Sequence, residues 1–198
     1  MERTEQLSQI SAAFDRLPVG SAFSIAGESG AGKTTLIAQV CATARDVRVL
    51  RVACDPLDTP RPLGPVKDLG IGVQPMMLAD VCEAAFAHLG AAPTLLVVED
   101  LHWVDAASTD VLRFLCRRIE SMPLVLLLTH RELEPQAAAR ALLAEGVCRI
   151  ELPPLSVEAI AELVEGTGLD PVRVHAATGG NPYFATEVSR EPDLPIPS

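Results

Sequence analysis

Residues 27–34 constrain the fold of this chain more than any other segment. They read G-E-S-G-A-G-K-T, which matches the pattern G-x-x-x-x-G-K-[ST] in full. An apolar stretch at 21–26 precedes them and a helical pattern over about 34–45 follows them. A strand, a glycine-rich turn and a helix in this order direct backbone N–H groups and the positive end of the helix toward one point. The segment therefore predicts a phosphate-binding loop.

The residue types in this loop indicate separate roles. Gly27, Gly30 and Gly32 allow the sharp turn, Lys33 supplies a positive charge to the β- and γ-phosphates, and the Thr34 hydroxyl is placed to bind Mg²⁺. A chance match in an ordinary glycine turn is the alternative, and the strand and helix on either side argue against it. The predicted nucleotide-binding residues of the loop are Gly27, Glu28, Ser29, Gly30, Ala31, Gly32, Lys33, Thr34 and Thr35.

A second strand pattern ends in acidic residues. The apolar run at 95–98 is followed by Glu99 and Asp100. We expect Glu99 to hold Mg²⁺, partly through water, and Asp100 to orient or deprotonate the attacking water, although these two roles could be exchanged. The alternative is a strand end closed by solvated acids. His102 and Trp103 follow directly, and either shape the mouth of the site or pack at the start of the next helix.

The strand pattern at 124–128 ends in the residues T-H-R. In a phosphate-loop architecture this strand lies between the loop strand and the acidic strand, so its polar end approaches the γ-phosphate. Arg131 or Thr129 is then placed to detect that phosphate. The alternative is a surface ion pair of Arg131 with Glu132 or Glu134.

Alternating apolar and helical segments predict an α/β fold with a central parallel sheet. The expected strands are 21–26, 47–53, 94–99, 124–129 and 147–152. Helices are expected near 3–17, 34–45, 78–89 and 135–145, and after Asp105, where the apolar face carries Val111, Leu112, Leu115 and Ile119. Residues 54–75 predict a long irregular connection. The expected organisation is a three-layer P-loop NTPase core at 1–153, a small helical segment at 154–190 and a proline-rich tail at 191–198.

Charge and cysteine content limit the classes of function. The net charge of −10 opposes binding to a phosphate backbone, so we expect no direct contact with nucleic acid. The five cysteines are scattered and form no C-x-x-C pair, which argues against a zinc site or a disulfide framework and favours a reducing cytoplasm. The N-terminus lacks the pattern of a signal peptide, and no apolar run is long enough to span a bilayer.

The segments G-E-S-G-A-G-K-T, V-V-E-D-L-H-W-V-D and T-G-G-N-P-Y-F-A-T-E-V together resemble the ATPase domain of the large LuxR-type bacterial transcription regulators. These regulators belong to the STAND class of signal-transducing P-loop ATPases. The resemblance implies a nucleotide switch that is inactive with ADP and opens with ATP and an inducer. It also implies that Pro182, in the segment G-G-N-P, packs near adenine, whereas a turn that caps the next helix is the alternative.

Two departures from that family modify the expectation. Glu99 replaces the usual first aspartate and is one methylene longer, so ATP hydrolysis is expected to be slow. The winged-helix, repeat-sensor and DNA-binding regions have no counterpart in these 198 residues. We therefore expect an ATPase module that works with other domains or subunits and does not bind DNA by itself. A P-loop small-molecule kinase and a non-hydrolysing nucleotide-binding scaffold are the alternatives.

Overall fold

Five parallel strands form one sheet in the computed structural model, which describes residues 3–56, 61–73, 76–131 and 137–190. The spatial order is β2-β3-β4-β1-β5. The strands are β1 Ser21–Ala26, β2 Arg48–Ala53, β3 Thr94–Glu99, β4 Leu124–His130 and β5 Cys148–Glu151. The strand β4 lies between β1 and β3, as the sequence predicts, so the loop after β1 and the polar ends of β4 and β3 meet at one edge of the sheet.

Helices cover both faces of the sheet, which confirms the predicted three-layer α/β fold. In the described ranges they are α1 Thr4–Phe14, α2 Lys33–Thr43, α3 Gly64–Asp68, α4 Leu78–Gly90, α5 Ala106–Cys116, α6 Ala137–Leu143, α7 Val157–Leu163, α8 Pro171–Thr178 and α9 Pro182–Arg190. Short 3₁₀ turns lie at Leu101–Trp103 and Ile119–Ser121.

The two faces of the sheet form two separate apolar clusters because successive strand residues point to opposite sides. In β3, Leu96 and Val98 pack with α4 and α5. Leu95 and Val97 pack on the other face with α1 and α2. Residues Leu124 to Leu128 of β4 are all fully buried, as expected for a central strand of a parallel sheet.

The helices α7, α8 and α9 enclose a small apolar cluster of their own. It consists of Ile160, Val164, Val174 and Ala185. Ser156 and Asp170 begin α7 and α8 by accepting backbone N–H bonds from Ala159 and Val172. The three helices therefore form a helical segment that follows β5.

Two sequence-based expectations are wrong in detail. The connection at 54–75 contains the helix α3, in which Pro65 occupies the first turn, where the missing N–H group is tolerated. Ile119 does not belong to α5, because that helix ends at Cys116 and Ile119 begins a separate 3₁₀ turn. The proline-rich tail at 191–198 lies outside the described residues, as do 57–60 and 74–75 within the connection.

The part of the chain that the structure describes contains no helix that is long and apolar enough to cross a membrane. The same ranges contain no group of three or more His, Cys, Asp or Glu side chains arranged to hold a metal ion. All five cysteines are free thiols.

Asp105 joins α5 to the connection that contains α3. Its Oδ1 accepts the N–H groups of Ser108 and Leu63, each at 3.0 Å, which confirms the predicted helix cap. Replacement of Asp105 by alanine removes both bonds, so we expect a loss of about 1–2 kcal/mol in the free energy of unfolding.

Urea denaturation measures this loss against Asp110→Ala as a control on the same helix. The Asp110 carboxylate is half exposed and lies 3.9 Å from Arg113, so its removal is expected to change stability by less than about 0.5 kcal/mol. Equal unfolding midpoints for the two variants would contradict the assignment of Asp105.

Candidate functional site

The loop at 27–34 leaves the carboxyl end of β1 and begins α2 at Lys33. Gly30 and Gly32 have φ angles of 81° and 91°, a region that residues with a Cβ rarely adopt. The Lys33 Nζ donates to the carbonyl oxygens of Gly27 and Glu28 at 2.7 and 2.8 Å. The lysine is thus held over the loop at the N-terminus of an eleven-residue helix, where an anion is stabilised.

A cavity of about 480 Å³ lies beside this loop, and we call it the phosphate cavity. The loop forms one wall, Asp100 and Arg131 form a second, and α9 forms a third. Lys33, Thr34 and Thr35 also line it. The fold therefore brings together the loop and most of the other predicted site residues, although these come from four separate parts of the sequence.

Asp100 reaches this cavity because the backbone turns immediately after β3. Its φ angle of 56° lies in the left-handed region, and its N–H group donates to the Thr129 Oγ1 at 3.1 Å. Thr129 is almost fully buried at the end of β4. The bond fixes the turn of Asp100 through the adjacent strand, so Thr129 supports the acidic residue by a direct contact.

Glu99 lies on a different side of the strand. Its carboxylate forms an ion pair with Arg51 at 2.7 Å, and it shares the face of Val97, toward α2. Asp100 lines the phosphate cavity, whereas Glu99 is not among the described residues that line it. The predicted role of Glu99 in Mg²⁺ binding stays a prediction.

Burial and neighbouring charges set the electrostatics of Lys33. Burial lowers the pKa of Lys33 below its usual value, Asp100 acts in the opposite direction, and Arg131 lowers the pKa further. Two cationic side chains therefore face the same cavity. A bound anion would offset both the desolvation of Lys33 and its repulsion by Arg131. The suggested partners of Arg131, Glu132 and Glu134, lie outside the described residues.

His102 is part of the same neighbourhood. Its ring packs against Trp103 with centroids 5.2 Å apart, and its Nδ1 lies 4.0 Å from the Asp100 Oδ1. Both ring nitrogens are buried without a hydrogen-bond partner among the described residues. Burial lowers the pKa of His102, despite the opposing effect of Asp100, so the imidazole is neutral at pH 7. The histidine thus lies beside Asp100 and packs against Trp103 in the 3₁₀ turn that precedes α5.

The segment G-G-N-P docks directly on the phosphate loop. The Asn181 Nδ2 donates to the Ser29 carbonyl at 2.9 Å, and the Tyr183 N–H donates to the Gly30 carbonyl at 3.3 Å. Pro182 faces Gly32. The sequence pattern indicates Pro182 as a site residue but does not indicate Asn181. An asparagine directly before a proline is a signal for a helix start, but it does not indicate what the asparagine contacts.

A second cavity of about 350 Å³ adjoins the first. It lies between α2 and α7, and Ala159 and Leu163 form its apolar wall. Gly32, Thr35 and Pro182 line both cavities. A ligand with an anionic and an apolar end can therefore extend from one cavity to the other across these three residues.

The strand order, the glycine-rich loop and the acidic residue at the end of β3 define a P-loop NTPase domain of the AAA type. The chain belongs to the AAA ATPase domain family, whose sequence model matches residues 1–128. No curated protein matches the chain.

Two solved structures illustrate the similarity in fold. RuvB of Thermotoga maritima, a Holliday junction branch migration motor, has a TM-score of 0.61 at 17% identity, with 96% of this chain and 60% of RuvB covered. A STAND protein of Pyrococcus horikoshii with a tetratricopeptide repeat sensor has a TM-score of 0.57 at 16% identity, with coverages of 88% and 28%. This chain therefore spans only part of the length of both proteins.

The close approach of α9 to Gly30 predicts a specific effect of Gly30→Ala. A Cβ at Gly30 would lie 2.7 Å from both the Asn181 Oδ1 and the Tyr183 Cβ, so we expect α9 to move away from the loop. Chymotryptic cleavage after Tyr183 or Phe184, followed by mass spectrometry, is expected to become faster.

Gly146→Ala is the matched control for backbone strain. Gly146 has a φ angle of 77°, close to that of Gly30, but a Cβ there would contact nothing within 4 Å. If both variants are cleaved at the same rate, the contact between α9 and the loop does not hold the helix in place.

Proposed function

We propose that this chain is the nucleotide-binding module of a STAND-type regulatory ATPase, which binds ATP or ADP with Mg²⁺ and hydrolyses ATP slowly. One observation carries the proposal: Lys33, Asp100, Arg131 and α9 line a single cavity at the phosphate loop. A nucleotide in this cavity contacts both the sheet and the helical segment. Exchange of ATP for ADP can therefore change the position of one relative to the other.

Binding follows from the two adjoining cavities. The phosphates occupy the phosphate cavity, where Lys33, the loop N–H groups and the N-terminus of α2 face them. The adenine occupies the second cavity, whose apolar residues from α7 suit an aromatic base. Pro182 lines both cavities, which supports the proposed contact between this proline and adenine.

Hydrolysis follows from the position of Asp100. Its carboxylate orients a water and accepts its proton as the water oxygen bonds to the γ-phosphorus, while the bond from that phosphorus to ADP breaks. Thr34 lines the cavity and would hold Mg²⁺, which neutralises part of the phosphate charge. Glu99 would join through water, but its Oε1 is paired with Arg51 and the residue does not line the phosphate cavity. This position supports slow turnover.

The regulatory setting rests on sequence resemblance and charge. Transcription control of the LuxR type would place the DNA-reading element on another domain or subunit, because the net charge of −10 opposes DNA binding here. We assign the switch to the boundary between the core at 1–153 and the helical segment at 154–190. The apolar cluster of α7, α8 and α9 allows that segment to move as a unit.

The first test uses the two lysines of the chain. Lys33→Ala removes a charge that faces the phosphates, so we expect the dissociation constant for Mg-ATP to rise about 10- to 100-fold. Lys67→Ala is the control, because Lys67 lies on α3 and donates to the Pro62 carbonyl. Calorimetric titration measures the Mg-ATP dissociation constant of both variants, and circular dichroism verifies that they are folded. Unchanged affinity in folded Lys33→Ala would exclude the proposed phosphate site.

A second test separates the two acidic residues. Asp100→Asn is expected to bind Mg-ATP normally and to lose about 10²- to 10⁴-fold in turnover, because it removes the base. Glu99→Gln is expected instead to weaken the Mg²⁺ dependence of ATP binding. An assay of phosphate release measures ATP hydrolysis by both variants. A screen for phosphorylated small molecules detects kinase activity. The opposite pattern would exchange the roles of Glu99 and Asp100.

A further inference from the structure

We infer that Asn181 is a positioning residue that sets the conformation of the phosphate loop and connects nucleotide binding to the docking of α9. The inference rests on the proposed binding of nucleotide at this loop. Asn181 belongs to the helical segment and lies 152 residues from its loop partner, Ser29. Asn181 contacts the loop but does not line the phosphate cavity, so its proposed role involves no direct contact with the nucleotide.

The side-chain amide of Asn181 accepts one hydrogen bond and donates another. Its Oδ1 accepts the N–H group of Tyr183 at 3.0 Å and thereby caps α9. Its Nδ2 donates to the Ser29 carbonyl at 2.9 Å. Serine and aspartate can cap a helix, but neither has a donor in the position of the amide nitrogen. Helix capping alone could be performed by several residue types, but the bond to Ser29 also requires the side-chain amide of asparagine.

The bond to Ser29 restricts the peptide group that precedes Gly30. A peptide group is planar, so the direction of the Ser29 carbonyl also fixes the opposite direction of the Gly30 N–H group. The Tyr183 N–H that caps α9 is shared in a bifurcated bond, because it also donates to the next carbonyl, that of Gly30, at 3.3 Å. Two successive peptide groups are thus held on either side of a glycine with a φ angle of 81°. A loop held before the ligand arrives loses less conformational entropy on binding.

The absence of a side chain at Gly30 makes this contact possible. A Cβ at that position would lie within 2.7 Å of both Asn181 and Tyr183. The phosphate loop and the start of α9 are therefore in van der Waals contact as well as hydrogen-bonded. Because α9 favours the binding conformation of the loop, a bound nucleotide must favour the docked position of α9 by the same factor.

The test compares Asn181→Ser with Asp170→Ala. Serine retains a helix cap for α9 and lacks the amide that donates to Ser29. Asp170→Ala removes the cap of α8, where Asp170 accepts the Val172 N–H at 2.9 Å, and so weakens the same helical segment without contacting the loop. Calorimetry is expected to show a rise of about fivefold in the Mg-ATP dissociation constant for Asn181→Ser. The value for Asp170→Ala is expected to stay within about twofold of the wild type.

Hydrogen–deuterium exchange supplies a readout that a general loss of stability would not give. In the wild type, Mg-ATP is expected to slow the exchange of α9 amides relative to the nucleotide-free chain. In Asn181→Ser at saturating nucleotide, this slowing is expected to be reduced, while in Asp170→Ala it remains. Circular dichroism confirms that both variants are folded.

The outcomes separate the inference from the proposed function. If the wild type does not bind Mg-ATP, the proposed function fails and the inference fails with it. If the wild type binds and Asn181→Ser matches it in affinity and in α9 protection, the inference is overturned and the proposed function stands. An equal loss of Mg-ATP affinity in Asp170→Ala and Asn181→Ser would show a general effect of the helical segment and would also overturn the inference.

Discussion

The position of β4 between β1 and β3 is the constraint on which the site depends. In a parallel sheet the carboxyl ends of neighbouring strands lie at one edge, and ligands bind there. This order brings the loop after β1, Thr129 and Arg131 at the end of β4, and Asp100 after β3 to one place. The backbone bond from Asp100 to Thr129 shows that the two strand ends are connected directly. The burial of β4 on both faces holds this arrangement.

The site also illustrates the difference between net and local charge. The chain carries a net charge of −10, which opposes the approach of a long polyanion such as DNA. A nucleotide is small and responds mainly to the charges that line the cavity, where Lys33 and Arg131 face Asp100. Partial burial strengthens these interactions, because fewer water molecules screen them. An acidic domain can thus be a binding site for a phosphate-containing ligand.

The sequence predicted the elements whose signals are local. The bounds of β1 and β3 agree with the expected strands, and the loop and the cap at Asp105 lie where their residue patterns place them. The sequence does not predict α3, because the prolines and glycines around it are typical of a loop, although Pro65 at the first turn is compatible with a helix. Contacts between distant segments, such as Asn181 with Ser29 and Arg51 with Glu99, have no local signal. They result from tertiary packing, which spacing along the chain does not reveal.

A crystal structure of the chain with Mg²⁺ and a non-hydrolysable ATP analogue would show directly where the nucleotide binds. We expect the phosphates in the phosphate cavity, the γ-phosphate facing Asp100, and the adenine between α2 and α7 beside Pro182. The contacts of Asn181 and Tyr183 with the loop are expected to remain. A nucleotide bound elsewhere on the chain, or a phosphate loop without ligand at saturating concentration, would exclude the proposed nucleotide site.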